Sequence, residues 1–297
     1  MEKSVWHRIT HGQFEGKWVV FNRLVGAFVR SILVVALIVM PSLLLPNVSA
    51  DAAQVVALVA MFGAALTFFE YMSAFPGLIE FRDAPPFNRV RFLSLFVTIF
   101  LLTLICRGIS DPSVLSDFVT AVGALIGYVL DLPYSPVRLM VQALPDESAM
   151  QQVNLMRVLA GLSYLSSLIS FAVFLGMLHR RSWPSKSGSF NVWINLPTFD
   201  PTVGGDVVSR LKRDARVNII LGFALPFIIP AVLQSASSLF GAISVGNYQS
   251  MIWTVAAWAF LPSSLFMRGV AMHRVAIMID DQRRQTYAAA DLEPLLA

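Results

Sequence analysis

From Val217 to Met267 the chain contains no Asp, Glu, Lys, Arg or His, and from Ser31 to Phe69 its only charge is Asp51. Each stretch is long enough for two apolar helices of about 20 residues, the length that crosses a bilayer. Each is interrupted once by a polar turn, "PNVSADA" in the first and "GAISVGNYQ" in the second, so each predicts a helical hairpin. Composition agrees: 56% of residues are hydrophobic, 13% are charged and the mean hydropathy is +0.68. Soluble domains hold about half apolar and a quarter charged residues, so the main solvent of this chain is lipid. The single cysteine, Cys106, sits inside an apolar run and excludes an intrachain disulfide, a CxxC redox pair and a zinc cluster of thiolates.

Apolar runs at 24–45, 52–75, 92–106, 158–178, 217–240 and 248–267 predict an all-α, polytopic membrane helix bundle with six transmembrane helices, forming a single membrane domain over 1–297. The third run is the shortest. Its fifteen residues between Arg91 and Arg107 give only about 22 Å of helix, so both arginines must snorkel toward headgroups. The run from Phe118 to Leu130, bounded by Asp117 and Asp131, is too short to span and is expected to be re-entrant or interfacial. Its Gly123 and Gly127 form a GxxxG pair that would permit close packing. With the following "PYSPVRLMVQALP", which fits a surface helix, it makes 107–157 a cap on one face of the membrane.

Charge sets the expected orientation. With a cytoplasmic N-terminus, 18 of the 22 basic residues fall on the cytoplasmic side, including Arg82, Arg89, Arg91, Arg210, Lys212, Arg213, Arg268 and Arg283. The opposite side keeps Arg107, Arg138 and Arg157, while Arg30 lies within the first span. Such sorting is the positive-inside pattern, and it places both termini, the loop 179–216 and the tail 268–297 in the cytoplasm of a cell bounded by a plasma (inner) membrane. The leader before the first span is too long for a cleaved signal, so that span is expected to be retained. The sequon at Asn47 lies in too short a turn to be used.

Arg30 and Glu70 lie about 9 Å and 7–8 Å inside the same edge of two consecutive helices, so an ion pair between them would offset the cost of two lone charges in lipid. Pro226, Pro230 and Pro262 each remove an amide and disturb the carbonyl four residues earlier, at Gly222, Pro226 and Trp258. In transporters such broken helices face a solute, whereas in ordinary bundles neighbours and hydroxyls satisfy the freed carbonyls. Ser163 follows Gly161 in "GLS", but no histidine lies within any span to serve as its base. His7 and His11 share a spacing of four without a third ligand. His179 and His273 sit near span ends, where a haem, which draws its ligands from inside a bundle, is not expected.

The first of the remaining cytoplasmic segments looks ordered rather than tethering. "IEFRDAPPFNRVRF" mixes charge, proline and aromatics in the manner of a contact-forming loop. After the flexible "RRSWPSKSGS", a helix should begin near Asp206, with Val207, Val208 and Leu211 against the headgroups and Arg210, Lys212 and Arg213 outward. Gly204-Gly205 lacks the lysine and spacing of a phosphate loop. "RDA" recurs at 82–84 and 213–215, too short a match to define a repeat. With no catalytic, cofactor-binding or metal-ligating constellation, the expectation is a non-catalytic subunit or assembly partner of a membrane complex. Its expected partners are the bilayer, anionic lipid on the cytoplasmic face and other membrane subunits, with no nucleic acid and no cofactor. The alternative is a small-solute or ion transporter or channel built on the proline-broken fifth and sixth helices.

Overall fold

The structure, a computed structural model, describes residues 3–145, 148–180, 183–184, 190–200, 202, 204–240 and 247–296. Among them every regular element is helical: α1 (Lys3–Leu44), α2 (Ala50–Met72), α3 (Phe87–Gly108), α4 (Val114–Leu130), α5 (Pro136–Gln142), α6 (Met150–Arg180), α7 (Val192–Asn195), α8 (Val207–Phe240) and α9 (Tyr248–Leu296). Six helices contain stretches long and apolar enough to cross a membrane: Val20–Leu44, Ala50–Met72, Phe87–Gly108, Met150–His179, Val207–Ser235 and Tyr248–Ala288. This is the helical membrane architecture that the apolar runs predict. The turn at 241–246, most of "RRSWPSKSGS" and the side chains of His7 and His11 lie outside the described residues.

The chain divides into two compact units, the first made of Met1–Leu43, Asn47–Asp83 and Asn191–Phe199. Its α1 and α2 are joined by the turn at Asn47, which adopts a left-handed φ of 60°, and Ser49 starts α2 by accepting the Ala52 amide. Among the described residues, they approach closely through a glycine at Gly63, where an added Cβ would lie 3.0 Å from the Ile38 Cδ1. Of α2, only Ala60 is buried, while Val55, Leu58 and Phe62 are more than half exposed. An apolar helix bare on most of its perimeter needs hydrocarbon, or another apolar surface, around it.

The second unit holds α3 to α6, α8 and α9. α3 begins earlier than the apolar run suggests, at Phe87, so its 22 residues reach about 33 Å. Arg91 turns back over the Phe87 ring, 5.0 Å from its centroid, and Arg107 reaches forward to Asp111 at 2.6 Å. Two hydroxyls inside the spans are satisfied locally, Thr103 donating to the Ile99 carbonyl and Ser170 to that of Ser166, while that of Ser163 is buried without a hydrogen-bond partner.

α4 is held by small residues. A Cβ on Gly161 of α6 would sit 2.5 Å from the Gly127 Cα, and one on Gly123 would sit 2.8 Å from Val158. The GxxxG pair therefore works as a backbone-to-backbone seam. The approaches of α4 fall on the ends of spans, at Gly108 and Ile105 of α3 and at Arg157 and Val158 of α6. Its opposite face carries Phe118 and Leu125, both about two-thirds exposed, so large apolar side chains point away from the protein. Beyond it Asp131, with only 7% of its side chain exposed, faces two arginines. Arg157 donates to its Oδ2 at 2.7 Å. Arg138 places Nε 2.5 Å from Oδ1, outside hydrogen-bond alignment, and donates through Nη2 to the Asp131 backbone carbonyl. One carboxylate thus serves the two cations that tie α5 and α6 to the end of α4.

Candidate functional site

Arg30 and Glu70 do not meet. Arg30 is exposed, reaches back one turn to donate to the Gly26 carbonyl at 2.7 Å, and lies 4.5 Å from the centroid of the Tyr71 ring. The matching depth was real, since Tyr71 is the neighbour of Glu70, but the rotation of α2 brings the ring rather than the carboxylate to the guanidinium. An arginine that folds toward its own helix N-terminus and covers an aromatic face keeps its charge near the membrane edge without needing an acid.

Glu70 has another task. Its carboxylate accepts the amides of Gly77, Leu78 and Ile79 at 2.9–3.1 Å, closing the chain that leaves α2 into a loop around one anion. Arg82 completes the same end from the opposite sign. With 2% of its side chain exposed, it donates to the backbone carbonyls of Glu70 and Ser73, the unsatisfied acceptors at the C-terminus of α2, and pairs with Asp83. Phe81, fully buried, takes a φ of 52° that costs a bulky residue on the order of 1–3 kcal/mol. Its amide is held by the Asn195 carbonyl at 2.6 Å, while the Asn195 side chain accepts the Asp83 amide and Thr198 donates to Glu80. Residues 73–83 and 191–199 therefore form one ordered polar platform. The expectation of an ordered loop at "IEFRDAPP" holds, although its cause is a buried arginine cap rather than the aromatics.

The proline-broken positions gather at the seam of α8 and α9. Gly222, Pro226, Pro230, Trp258 and Pro262 are all buried. Pro230 frees the carbonyl of Pro226, and the Trp258 indole donates to that carbonyl at 3.1 Å. A Cβ on Gly222 would lie 2.9 Å from the Pro262 carbonyl and 3.0 Å from the Phe266 ring, and one on Gly269 would lie 2.8 Å from the Ala215 carbonyl. Ser263 crosses to the Ser167 carbonyl of α6 at 3.1 Å. The seam is closely packed at Gly222 and Gly269, and the carbonyl that Pro230 frees is taken by an indole.

Toward the other end the same pair of helices becomes polar. Arg268 donates to Asn218, Lys212 faces Asp280 at 3.4 Å, and Arg283 donates to Asp206. Asp206 also accepts the Ser209 amide and so caps the start of α8, as its position predicts. The Arg283 hydrogen bond, followed by that amide, holds the Asp206 carboxyl below the usual carboxylate range. Val208 and Leu211 are buried rather than laid on headgroups, and Arg210 donates to the Asp200 carbonyl, so much of the expected lipid-facing surface is spent on protein contacts.

The signal that sequence reasoning missed is the groove between α3 and α6, because its walls look like ordinary span residues. It encloses about 430 Å³ between Leu93, Val97 and Leu101 on one side and Leu165, Ile169 and Val173 on the other. No protein-family signature, no curated protein and no solved structure matches this chain.

Proposed function

We propose that the chain is a non-catalytic, membrane-embedded subunit or assembly partner of a larger membrane complex, with both termini in the cytoplasm of a plasma (inner) membrane. The observation that carries this is the ordered platform of 73–83 and 191–199. A buried arginine, a carboxylate holding three amides and a strained phenylalanine fix two segments that carry exposed Phe75, Leu78 and Trp193. Rigid exposed aromatic and aliphatic side chains on a pre-organised backbone are what a contact surface needs, since little ordering entropy remains to be lost on binding. The transport alternative needs freed carbonyls open to a solute, and the indole on Pro226 weighs against it.

The test is the size of the native particle extracted in mild detergent. A second component at fixed stoichiometry, lost when Phe75→Ala and Trp193→Ala are combined while the melting temperature of the chain is unchanged, supports the proposal. A free monomer from native membranes overturns it. Orientation is tested by cysteine labelling, for which the buried Cys106 gives little background. Val114→Cys and Tyr287→Cys, at 89% and 69% exposure in the parent residues, should react from opposite sides of the membrane.

A further inference from the structure

We infer that the α3/α6 groove is a binding site for one anionic phospholipid, its acyl chain along the groove and its phosphate on Arg89. This inference does not depend on the assembly proposal. Three observations select that occupant.

The first is the chemistry of the lining. The groove is walled mainly by Leu, Val and Ile, and two of its three serine hydroxyls are engaged: Ser166 shares a hydrogen bond of 2.8 Å with Thr98, and Ser170 donates to the Ser166 carbonyl at 2.8 Å. With Ser94 as the remaining hydroxyl on the wall, it offers mostly hydrocarbon contact, which suits a methylene chain better than a strongly polar solute.

The second is length. From Val90 to Leu101 the α3 wall runs about 17 Å, close to the roughly 15 Å hydrocarbon depth of one leaflet. Ile126 of α4 lines its far end. A partner transmembrane helix would need the whole bilayer thickness, whereas a single acyl chain needs one leaflet.

The third is charge at the open end. Arg89 stands one helical turn beyond Leu93 and two beyond Val97, on the same stripe of α3 that forms the wall. It is exposed and, among the described residues, makes no ion pair or hydrogen bond. Its neighbour Arg91 is engaged with aromatic rings, so among the described side chains Arg89 is the cation at this mouth placed to meet a phosphate. On the facing wall a Cβ at Gly176, just beyond Val173, would meet nothing within 4 Å, so the entrance is unobstructed.

The experiment is native mass spectrometry of the full chain released from neutral detergent after incubation with phosphatidylglycerol and phosphatidylcholine of matched acyl chains. The wild-type chain should retain one lipid, with about a fivefold preference for phosphatidylglycerol from a single interfacial cation. Arg89→Gln should bring that preference to near parity while still retaining lipid. Val97→Trp, which fills the groove, should abolish retention of both lipids. Because a tryptophan there could also perturb packing, Gly176→Trp, built into open space, should give the same loss at an unchanged melting temperature. A preference that survives Arg89→Gln overturns the headgroup assignment and with it the site. Retention that survives both tryptophan variants, or a second copy of the chain in place of lipid, overturns the groove as its seat.

Discussion

Two hairpins announce themselves in the sequence by the same sign, a long double run almost without charge, and fold to opposite ends. In α8 and α9 the helices meet through Gly222, Gly269, Pro226 and Trp258, and their apolar halves are continuous with a polar zip from Arg268 to Arg283. In α1 and α2 the only close glycine contact between the helices among the described residues is Gly63 against a flexible isoleucine tip, and α2 buries Ala60 alone. All four helices are apolar enough to cross a membrane. What differs is where small residues let backbones touch, because between helices in lipid the attraction comes from packing and not from expulsion of water. Hydropathy says which segments enter the membrane, and the placement of glycine says which of them then hold each other.

The sharpest way to break this contrast is to add the same methyl group to both seams. Gly222→Ala should cost about 1–3 kcal/mol because the new Cβ faces the Pro262 carbonyl, part of a helix backbone that cannot yield alone. Gly63→Ala, facing the Ile38 Cδ1 and the Val34 Cγ1, both side-chain tips, should fall within about 0.5 kcal/mol of wild type. Thermal unfolding of both in one detergent checks this, and equal losses would show that the hairpins are packed alike. Next in size is Trp258→Phe, which keeps a ring in the seam but leaves the Pro226 carbonyl without its donor. A loss of about 1–3 kcal/mol is expected, and a neutral result would mean that water or another group reaches the seam.

A smaller effect tests the bare hairpin. A double-mutant cycle on Arg30→Gln and Glu70→Gln should return a coupling energy within about 0.5 kcal/mol of zero, because each side chain has its own partners. A coupling of several times that size would restore the ion pair that depth alone suggested. The smallest effect belongs to the polar zip. The Asp206 carboxyl is lowered in the folded chain, so its contribution is present above the unfolded pKa, about 3.9, and is lost as pH falls through the lower folded value. Asp206→Asn should remove this acid dependence from the melting profile while leaving the plateau at neutral pH only slightly lower.

Much of the fold is visible in the letters alone, and the residues show why the rest is not. The six spans follow from run length, and the start of α8 from the side-chain chemistry of Asp206. Depth along a helix can be counted, so Arg30 was placed correctly beside the end of α2. Rotation about the axis cannot be counted in a helix that is apolar all round, and Tyr71 took the position expected of Glu70. The closure of Pro226 by Trp258 needed the register of two antiparallel helices, which a sequence separated by a turn does not fix. Glu70 met its partners only seven to nine residues later, but those partners are backbone amides, whose aim depends on loop conformation.

The unbroken course of α9 has a mechanical corollary. Forty-nine residues in one helix make a rod of about 73 Å, with one end in hydrocarbon and the other in water. A stiff lever of that kind turns a tilt of about 10° imposed by bilayer thickness into a sweep of roughly 7 Å at a point about 40 Å along its length. Deformation of the membrane would be transmitted to solvent as displacement, less whatever the helix yields at Pro262, where an amide is missing.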